Sequence, residues 1–146
     1  MQKRQVVLKI NTSGSSILNG DRIVEIDCVE LINGDFTGKR FQRYINPNRI
    51  IESSAFKQHG LSYHFLRKHP MFGGIARDFF EFIFDAELLI EHGSNTVSYI
   101  NREFEILGWQ PLETYCQITF VSHPIHATVH KLVQSLPQAG EACSWC

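Results

Sequence analysis

The sequence predicts a mixed α/β domain, and three features support this prediction. The chain has 146 residues, of which 43% are hydrophobic and 20% are charged, a composition typical of one globular domain. Three strand-like segments follow one another near the start, as in an antiparallel meander. Helical and strand-like periodicities then alternate, which indicates a partly parallel sheet. We therefore expect one domain over residues 1–146, with antiparallel strands one to three continuing into a parallel part flanked by helices.

The first half of the chain carries the strand signals. Residues 5–10 are β-branched and mostly apolar, and they precede a polar turn that contains Gly14. Residues 22–32 alternate with both sets of side chains partly apolar, which predicts a strand covered on two faces. Asn33-Gly34 is a strong hairpin signal. The third strand is therefore expected from about residue 36 to residue 45.

The second half changes to a helical period. Pro70 opens a predicted helix, and Gly108 ends another one over residues 95–107. Each predicted helix has an apolar stripe that is expected to face the core. The stripes are formed by Ile75, Phe79, Phe82 and Ile83, and by Val97, Ile100, Phe104 and Leu107. The remaining predicted elements are short helices between residues 51 and 68, strands over 87–90 and 112–118, and a helix over 124–135.

Composition and charge restrict the partners. Fourteen basic and fifteen acidic residues give a net charge of −1. Because general attraction to nucleic acid rests on Lys and Arg replacing phosphate counterions, this balance argues against nucleic acid as a partner. No apolar run reaches the ~18 residues of a membrane span, so membrane insertion is not expected. Residues 1–8 are too short for a signal-peptide core, and we expect a cytoplasmic protein.

A collinear set of short motifs resembles one enzyme family. The motifs are Val24-Glu25-Ile26, Asn46-Pro47, His59-Gly60-Leu61, Pro70-Met71-Phe72, Ala86-Glu87-Leu88-Leu89-Ile90 and Arg102-Glu103-Phe104. Their order and spacing are similar to those of the DnaQ-like (DEDDh) 3′–5′ exonucleases, the family of bacterial proofreading subunits. The resemblance runs from about residue 4 to residue 140. It implies a ribonuclease-H-like fold.

The resemblance also implies a metal-dependent chemistry, and the matching positions depart from it. The family uses four carboxylates to hold two divalent ions and a histidine to deprotonate water. Lys9 and Asn11 fall at the two acidic positions of the first motif, and Thr96 falls at the aspartate of the second. The third motif is expected beyond residue 140, and we expect it to be missing. A lysine places positive charge where a cation would bind, although it could pair with Glu25 or Glu91 instead.

These departures lead to a functional hypothesis. They predict no catalytic residues, no cofactor and no enzyme activity. The leading interpretation is an inactive exonuclease-like pseudoenzyme of bacterial type that acts as a scaffold subunit in a multi-subunit assembly, with a homodimer as one form. The alternatives are a non-cleaving module that binds single-stranded nucleic acid, and a residual metal-dependent 3′–5′ exonuclease.

An aromatic row is the candidate partner surface. Ala76, Phe80 and Phe84 recur at helical spacing on a second face of the helix after Pro70. One interpretation is an exposed apolar strip that docks a partner. The other is a helix buried on both faces.

A histidine and cysteine set near the end of the sequence is a candidate zinc site. His126 and His130 are one helical turn apart, and Cys143 and Cys146 have C-x-x-C spacing. The alternative is that these histidines lie on a helix surface or at the edge of the core. We expect no metal there.

Overall fold

One five-stranded sheet organises the protein, whose computed structural model describes residues 2–122. The strand order is β3-β2-β1-β4-β5. The strands are β1 (Arg4–Thr12), β2 (Ile23–Ile32), β3 (Asp35–Tyr44), β4 (Glu87–Glu91) and β5 (Gln117–Val121). β2 is antiparallel to β1 and to β3, whereas β4 runs parallel to β1 and to β5. The predicted mixed α/β architecture is confirmed.

Four helices accompany the sheet in the described part of the chain. They are α1 (Ser53–His59), α2 (Tyr63–Leu66), α3 (Phe72–Ile83) and α4 (Thr96–Ile106). Short 3-10 turns cover Ile17–Asn19 and Leu112–Thr114. No helix within residues 2–122 is long and apolar enough to cross a membrane.

The main core lies between one face of the sheet and helices α3 and α4. Its largest members include Leu8 and Ile26 from the strands and Phe79 and Phe104 from the helices. Because β2 contributes side chains to both faces, nine of its ten residues are buried. A smaller apolar cluster on the opposite face contains Val7, Val29, Leu31 and Leu89. The predicted strand with two covered faces is confirmed.

A buried ion pair locks α4 against the start of β2. The guanidinium of Arg22 donates two hydrogen bonds to the Glu103 carboxylate, at 3.0 Å from Nε and 2.5 Å from Nη2. The hydrogen bond to Glu103 raises the pKa of Arg22 above its ordinary value. Since both partners are charged and the carboxylate is buried, this contact fixes the orientation of α4 relative to the sheet.

Two sequence predictions about the second half are wrong in detail. The strand expected over residues 112–118 begins only at Gln117, because Pro111 fixes the backbone before a 3-10 turn anchored by buried Leu112. Leu107 was expected to face the core, but it lies past the last turn of α4 and is exposed. The helix expected over 124–135 lies outside the described residues.

The aromatic row does not form a continuous exposed strip. Ala76 is buried in the main core, so its inclusion in a docking surface is wrong. Phe80 is half-buried. Phe84 lies just past the end of α3 and is 54% exposed. Phe80 instead joins Arg77, Trp109 and Tyr115 in lining a cavity of about 380 Å³.

Candidate functional site

A polar cleft opens at the carboxyl end of β1. It has a volume of about 220 Å³ and lies between the turn after β1, the end of α1 and the start of α4. Among residues 2–122 the lining consists of amides, hydroxyls, backbone and the Ile10 side chain, and includes no charged side chain. The lining residues are Ile10, Asn11, Thr12, Gly14, Ser15, Gln58, Ser94, Asn95, Thr96 and Tyr99.

Buried Asp21 shapes the turn that forms one wall of the cleft. Its Oδ1 accepts a hydrogen bond from Ser13 Oγ at 2.9 Å, and its Oδ2 accepts one from the Ser16 N–H at 3.0 Å. A Cβ on Gly14 would lie 2.4 Å from Asp21 Oδ2 and 2.4 Å from Glu52 Cδ. The turn therefore requires glycine because the backbone passes too close to these side chains.

His59 ties the end of β1 to the residues that follow α1. Its Nδ1 accepts a hydrogen bond from the Leu61 N–H at 3.0 Å, and its Nε2 lies 2.9 Å from the Thr12 carbonyl oxygen. A neutral ring protonated at Nε2 satisfies both contacts. Burial lowers the pKa of His59, and the bond to Thr12 opposes this shift. The ring therefore holds the wall of the cleft as a neutral hydrogen-bonding group.

Tyr99 and the start of α4 form the opposite wall. The Tyr99 hydroxyl donates to the Gly14 carbonyl oxygen at 3.2 Å, and burial raises the pKa of this phenol. Ser94 Oγ donates to the Glu91 carbonyl oxygen at 2.8 Å and lies 3.1 Å from Thr96 Oγ1. Asn95 is exposed at the rim, and its side chain does not cap the helix.

Asn11 belongs to a buried network next to the cleft. Its Nδ2 donates to Glu25 Oε1 at 2.9 Å, while Gln42 Nε2 donates to Glu25 Oε2 at 2.8 Å. Burial raises the pKa of Glu25, and the two amide hydrogen bonds act in the opposite direction. Both oxygens of this carboxylate are thus engaged by N–H donors from neighbouring strands.

Lys9 and Asp27 face each other one step further along the same sheet face. The two residues are partners in the antiparallel register of β1 and β2. Arg40 on β3 donates to both oxygens of buried Asp27, at 2.8 Å from Nε and 2.5 Å from Nη2. Arg40 therefore pairs with Asp27 from β3, while Lys9 lies opposite Asp27 on β1, on the sheet face that also carries Glu25.

The described residues do not fit a pair of divalent ions. Within residues 2–122 no group of three or more His, Cys, Asp or Glu side chains is placed to hold a metal ion. Asn11 directs its N–H towards Glu25, and Thr96 shares its hydroxyl with Ser94. Glu91 is half-buried at the end of β4. The zinc candidates His126, His130, Cys143 and Cys146 lie outside the described residues.

Fold and cleft together define the class of this protein. An antiparallel β3-β2-β1 half continued by parallel strands, with a polar cleft at the end of β1, is the arrangement of a ribonuclease-H-like exonuclease domain. The family model Exonuclease (RNase_T) matches residues 10–137. The chain belongs to the exonuclease family, as the resemblance predicted.

Its relatives include subunits of a DNA polymerase. The chain is 43% identical over 122 residues to the DNA polymerase III subunit epsilon of Buchnera aphidicola subsp. Schizaphis graminum, a match over 80% of this chain and 52% of that protein. It is 40% identical over 104 residues to the same subunit of Rickettsia prowazekii, which covers 71% of this chain and 45% of the relative. The chain thus spans about half the length of these relatives.

A solved structure shares the fold at low sequence identity. Exonuclease I in its apo form superposes with a TM-score of 0.72 at 12% identity, over 96% of this chain and 34% of that one. This likeness confirms the ribonuclease-H-like mixed sheet.

The comparisons overturn the functional hypothesis drawn from the sequence. A chain of the exonuclease family that is 43% identical to a DNA polymerase III epsilon subunit points to an enzyme, so the predictions of a non-enzyme, a pseudoenzyme and a scaffold are wrong. The error was to infer a loss of enzyme activity in the whole protein from the substitutions at Lys9, Asn11 and Thr96. The argument against nucleic acid as a partner is not supported either, since net charge averages over the whole surface.

Sequence reasoning also missed several residues that build the cleft. Asp21, Gln58 and Tyr99 belong to no motif, and they come from a loop and two helices. The turn signal around Gly14 was the one local hint, because a glycine in a polar turn can mark a close backbone approach. The partners of Asp21 depend on tertiary structure and leave no such signal.

Proposed function

We propose that this chain is an exonuclease domain that holds the 3′ end of a single nucleic-acid strand in the cleft at the end of β1. The observation that carries the proposal is the position of this cleft in a chain of the exonuclease family. The cleft offers neutral hydrogen-bonding groups at the meeting point of β1 and α4. A terminal sugar and its phosphate present oxygens of the kind that amide and hydroxyl donors bind.

The cleft residues bind and orient the strand in this proposal. The first turn of α4 contributes backbone N–H groups and the positive end of the helix dipole, which favour a phosphate. Asn95 and Gln58 lie at the exposed rim, where their amides can reach the sugar or the base. Asp21 and Tyr99 keep the opposite wall in place through the turn at Gly14.

Hydrolysis of the terminal phosphodiester is the reaction that the family indicates. The family's divalent ions would supply the activated water and neutralise charge on the phosphate. Because residues 2–122 do not fit such ions, we assign these residues only to binding and orienting the strand.

The domain also works within a protein assembly in this proposal. The support is that the relatives are named as subunits of DNA polymerase III. Copurification from the native host, with the tagged chain as bait, tests this part. Recovery of the tagged chain without any copurifying protein would contradict this part of the proposal.

A charge placed at the rim tests the cleft directly. Gln58→Glu introduces a negative charge beside the bound strand, and Gln110→Glu makes the same change at an exposed position outside the cleft lining. With a labelled strand of about 20 nucleotides at about 50 mM salt, we expect fluorescence anisotropy to show fivefold weaker binding, on the order of 1 kcal/mol, for Gln58→Glu alone. No binding by the wild type would overturn the proposal.

The same labelled strand can be used to detect cleavage. Incubation with Mg²⁺ or Mn²⁺, followed by electrophoresis, is expected to show a 5′-labelled strand that shortens from its 3′ end. Binding without shortening would overturn the exonuclease part of the proposal and leave the strand-binding cleft. Shortening at equal rates in the wild type and Gln58→Glu would show that the strand lies elsewhere.

A further inference from the structure

Residues 53–69, which include α1 and α2, carry positive charge that no acidic residue of the same segment balances. Lys57, Arg67 and Lys68 are basic, and the segment contains no aspartate or glutamate. All three side chains are exposed, and none of them forms an ion pair with another residue that the structure describes. The preceding Glu52 is half-buried against the turn at the end of β1. The net charge of −1 therefore conceals a local positive surface.

The same segment also exposes aromatic rings. Phe56 is 46% exposed, and Tyr63 and Phe65 are each 39% exposed. Phe65 packs edge-on against Tyr44, with ring centroids 5.0 Å apart, which fixes its position on β3. Exposed rings beside cationic side chains offer stacking surfaces for bases and charge for phosphates, the combination that binds single-stranded nucleic acid.

Direct contacts join this segment to the cleft. Gln58 lines the cleft, and Lys57 precedes it in α1. His59 Nε2 lies 2.9 Å from the carbonyl oxygen of Thr12, which also lines the cleft. Leu66 is fully buried in the apolar cluster that fixes α2 to β2 and β3. A strand whose 3′ end lies in the cleft can therefore continue over residues 53–69.

We propose that residues 53–69 bind the part of the strand upstream of its 3′ end, with Arg67 and Lys68 at its phosphates and Tyr63 stacked on a base. The inference rests on the proposed strand-binding function and adds the source of the attraction. Affinity for a strand comes largely from Lys and Arg that replace its counterions, and the described lining of the cleft has no charged side chain. The ligand is a single strand, because stacking on a ring requires an unpaired base.

The salt dependence of binding tests the two adjacent cations. Arg67→Gln combined with Lys68→Gln should reduce the slope of log affinity against log salt by about 1.4, since each phosphate contact on a single strand contributes about 0.7. Lys39→Gln combined with Arg102→Gln removes the same charge from exposed positions on β3 and α4 and should leave the slope unchanged. An unchanged slope in the folded first variant, or an equal reduction in the control, would overturn the proposal.

A second variant tests stacking. Tyr63→Ala should weaken binding of the labelled strand by about fivefold or more, whereas Tyr63→Phe keeps the ring and should retain the affinity. Phe84→Ala is the control, because it removes a ring that is 54% exposed beyond the end of α3. Wild-type affinity in Tyr63→Ala would overturn the assignment of a base to this ring.

Gln58→Glu, measured in the same titrations, separates this inference from the proposed function. Weaker binding by Gln58→Glu with no effect of the Arg67 and Lys68 variant would leave the cleft and remove the inference. The opposite result would place the strand on residues 53–69 and overturn the proposed cleft. Competition by a polyglutamate peptide as strong as that of an unlabelled strand of equal charge would assign the surface to an acidic polypeptide and overturn the inference.

Discussion

The two faces of the central sheet share their strands but differ in chemistry. Towards α3 and α4 the contacts are apolar, and Leu8 and Ile26 pack in one core with Phe79 and Phe104. On the other face, near the cleft, the same strands present Asn11 together with the Glu25 and Asp27 carboxylates and their donors. The apolar face preserves the fold, which is why the family can be recognised. The chemistry beside the cleft depends on these polar side chains and has to be established separately.

Removing a large side chain from the apolar face is expected to give the greatest loss of stability. Phe79 is fully buried, and its ring centroid lies 6.0 Å from that of Phe41 and 6.3 Å from that of Phe104. Phe79→Ala should lower the free energy of unfolding by about 3–5 kcal/mol, because a cavity replaces these contacts. Urea unfolding monitored by circular dichroism measures the change.

Phe84→Ala is the matched control, since Phe84 is 54% exposed just beyond the same helix. It should cost less than about 1 kcal/mol. Equal losses for the two variants would contradict the assignment of the main core to this face.

Breaking the ion pair between Arg40 and Asp27 is expected to give the second-largest loss of stability. Arg40→Ala leaves the Asp27 carboxylate buried without its two hydrogen bonds. The free energy of unfolding should fall by about 3 kcal/mol, since removing the bidentate partner of a buried carboxylate is costly. Arg77→Ala is the control because the Arg77 side chain is 89% exposed and pairs with Glu81 at 3.6 Å. That variant should change stability by no more than about 0.5 kcal/mol. A loss of similar size in both variants would show that burial of Asp27 is not the cause.

The smallest expected effect is a difference in pH dependence between two carboxylates. Burial raises the pKa of Glu25, so its stabilising contribution is present at low pH and is lost as pH rises through the raised pKa. Hydrogen bonds from Thr119 and Gln5 lower the pKa of Glu87. The contribution of Glu87 is therefore present above its unfolded-state pKa and is lost as pH falls through the lowered pKa.

Glutamine variants should reveal these opposite signs. Relative to the wild type, Glu25→Gln should gain stability between about pH 4 and pH 7, whereas Glu87→Gln should lose it over the same range. Urea unfolding of both variants at the two pH values provides the comparison. Parallel pH profiles for the two variants would contradict the assigned shifts.

Most of the fold could be predicted from local patterns. The alternation along β2, the Asn33-Gly34 turn and the apolar stripes of α3 and α4 each depend on residues close in sequence, and all of these elements are present. The strand predicted from residue 112 begins later in the structure, because the residues after Pro111 do not reveal where pairing with β4 begins. The Phe80 surface remains a prediction, although Ala76 turned out to be part of the core.

The sequence by itself determined the family, the succession of strands along the chain and the positions at which Lys9, Asn11 and Thr96 depart from the family's motifs. Only the tertiary structure decided how these residues are used. Glu25 receives its hydrogen bonds from Asn11 on β1 and from Gln42 on β3, which are 14 and 17 residues away. Such contacts depend on the register of three strands, and register is set by packing across the sheet rather than by neighbouring residues.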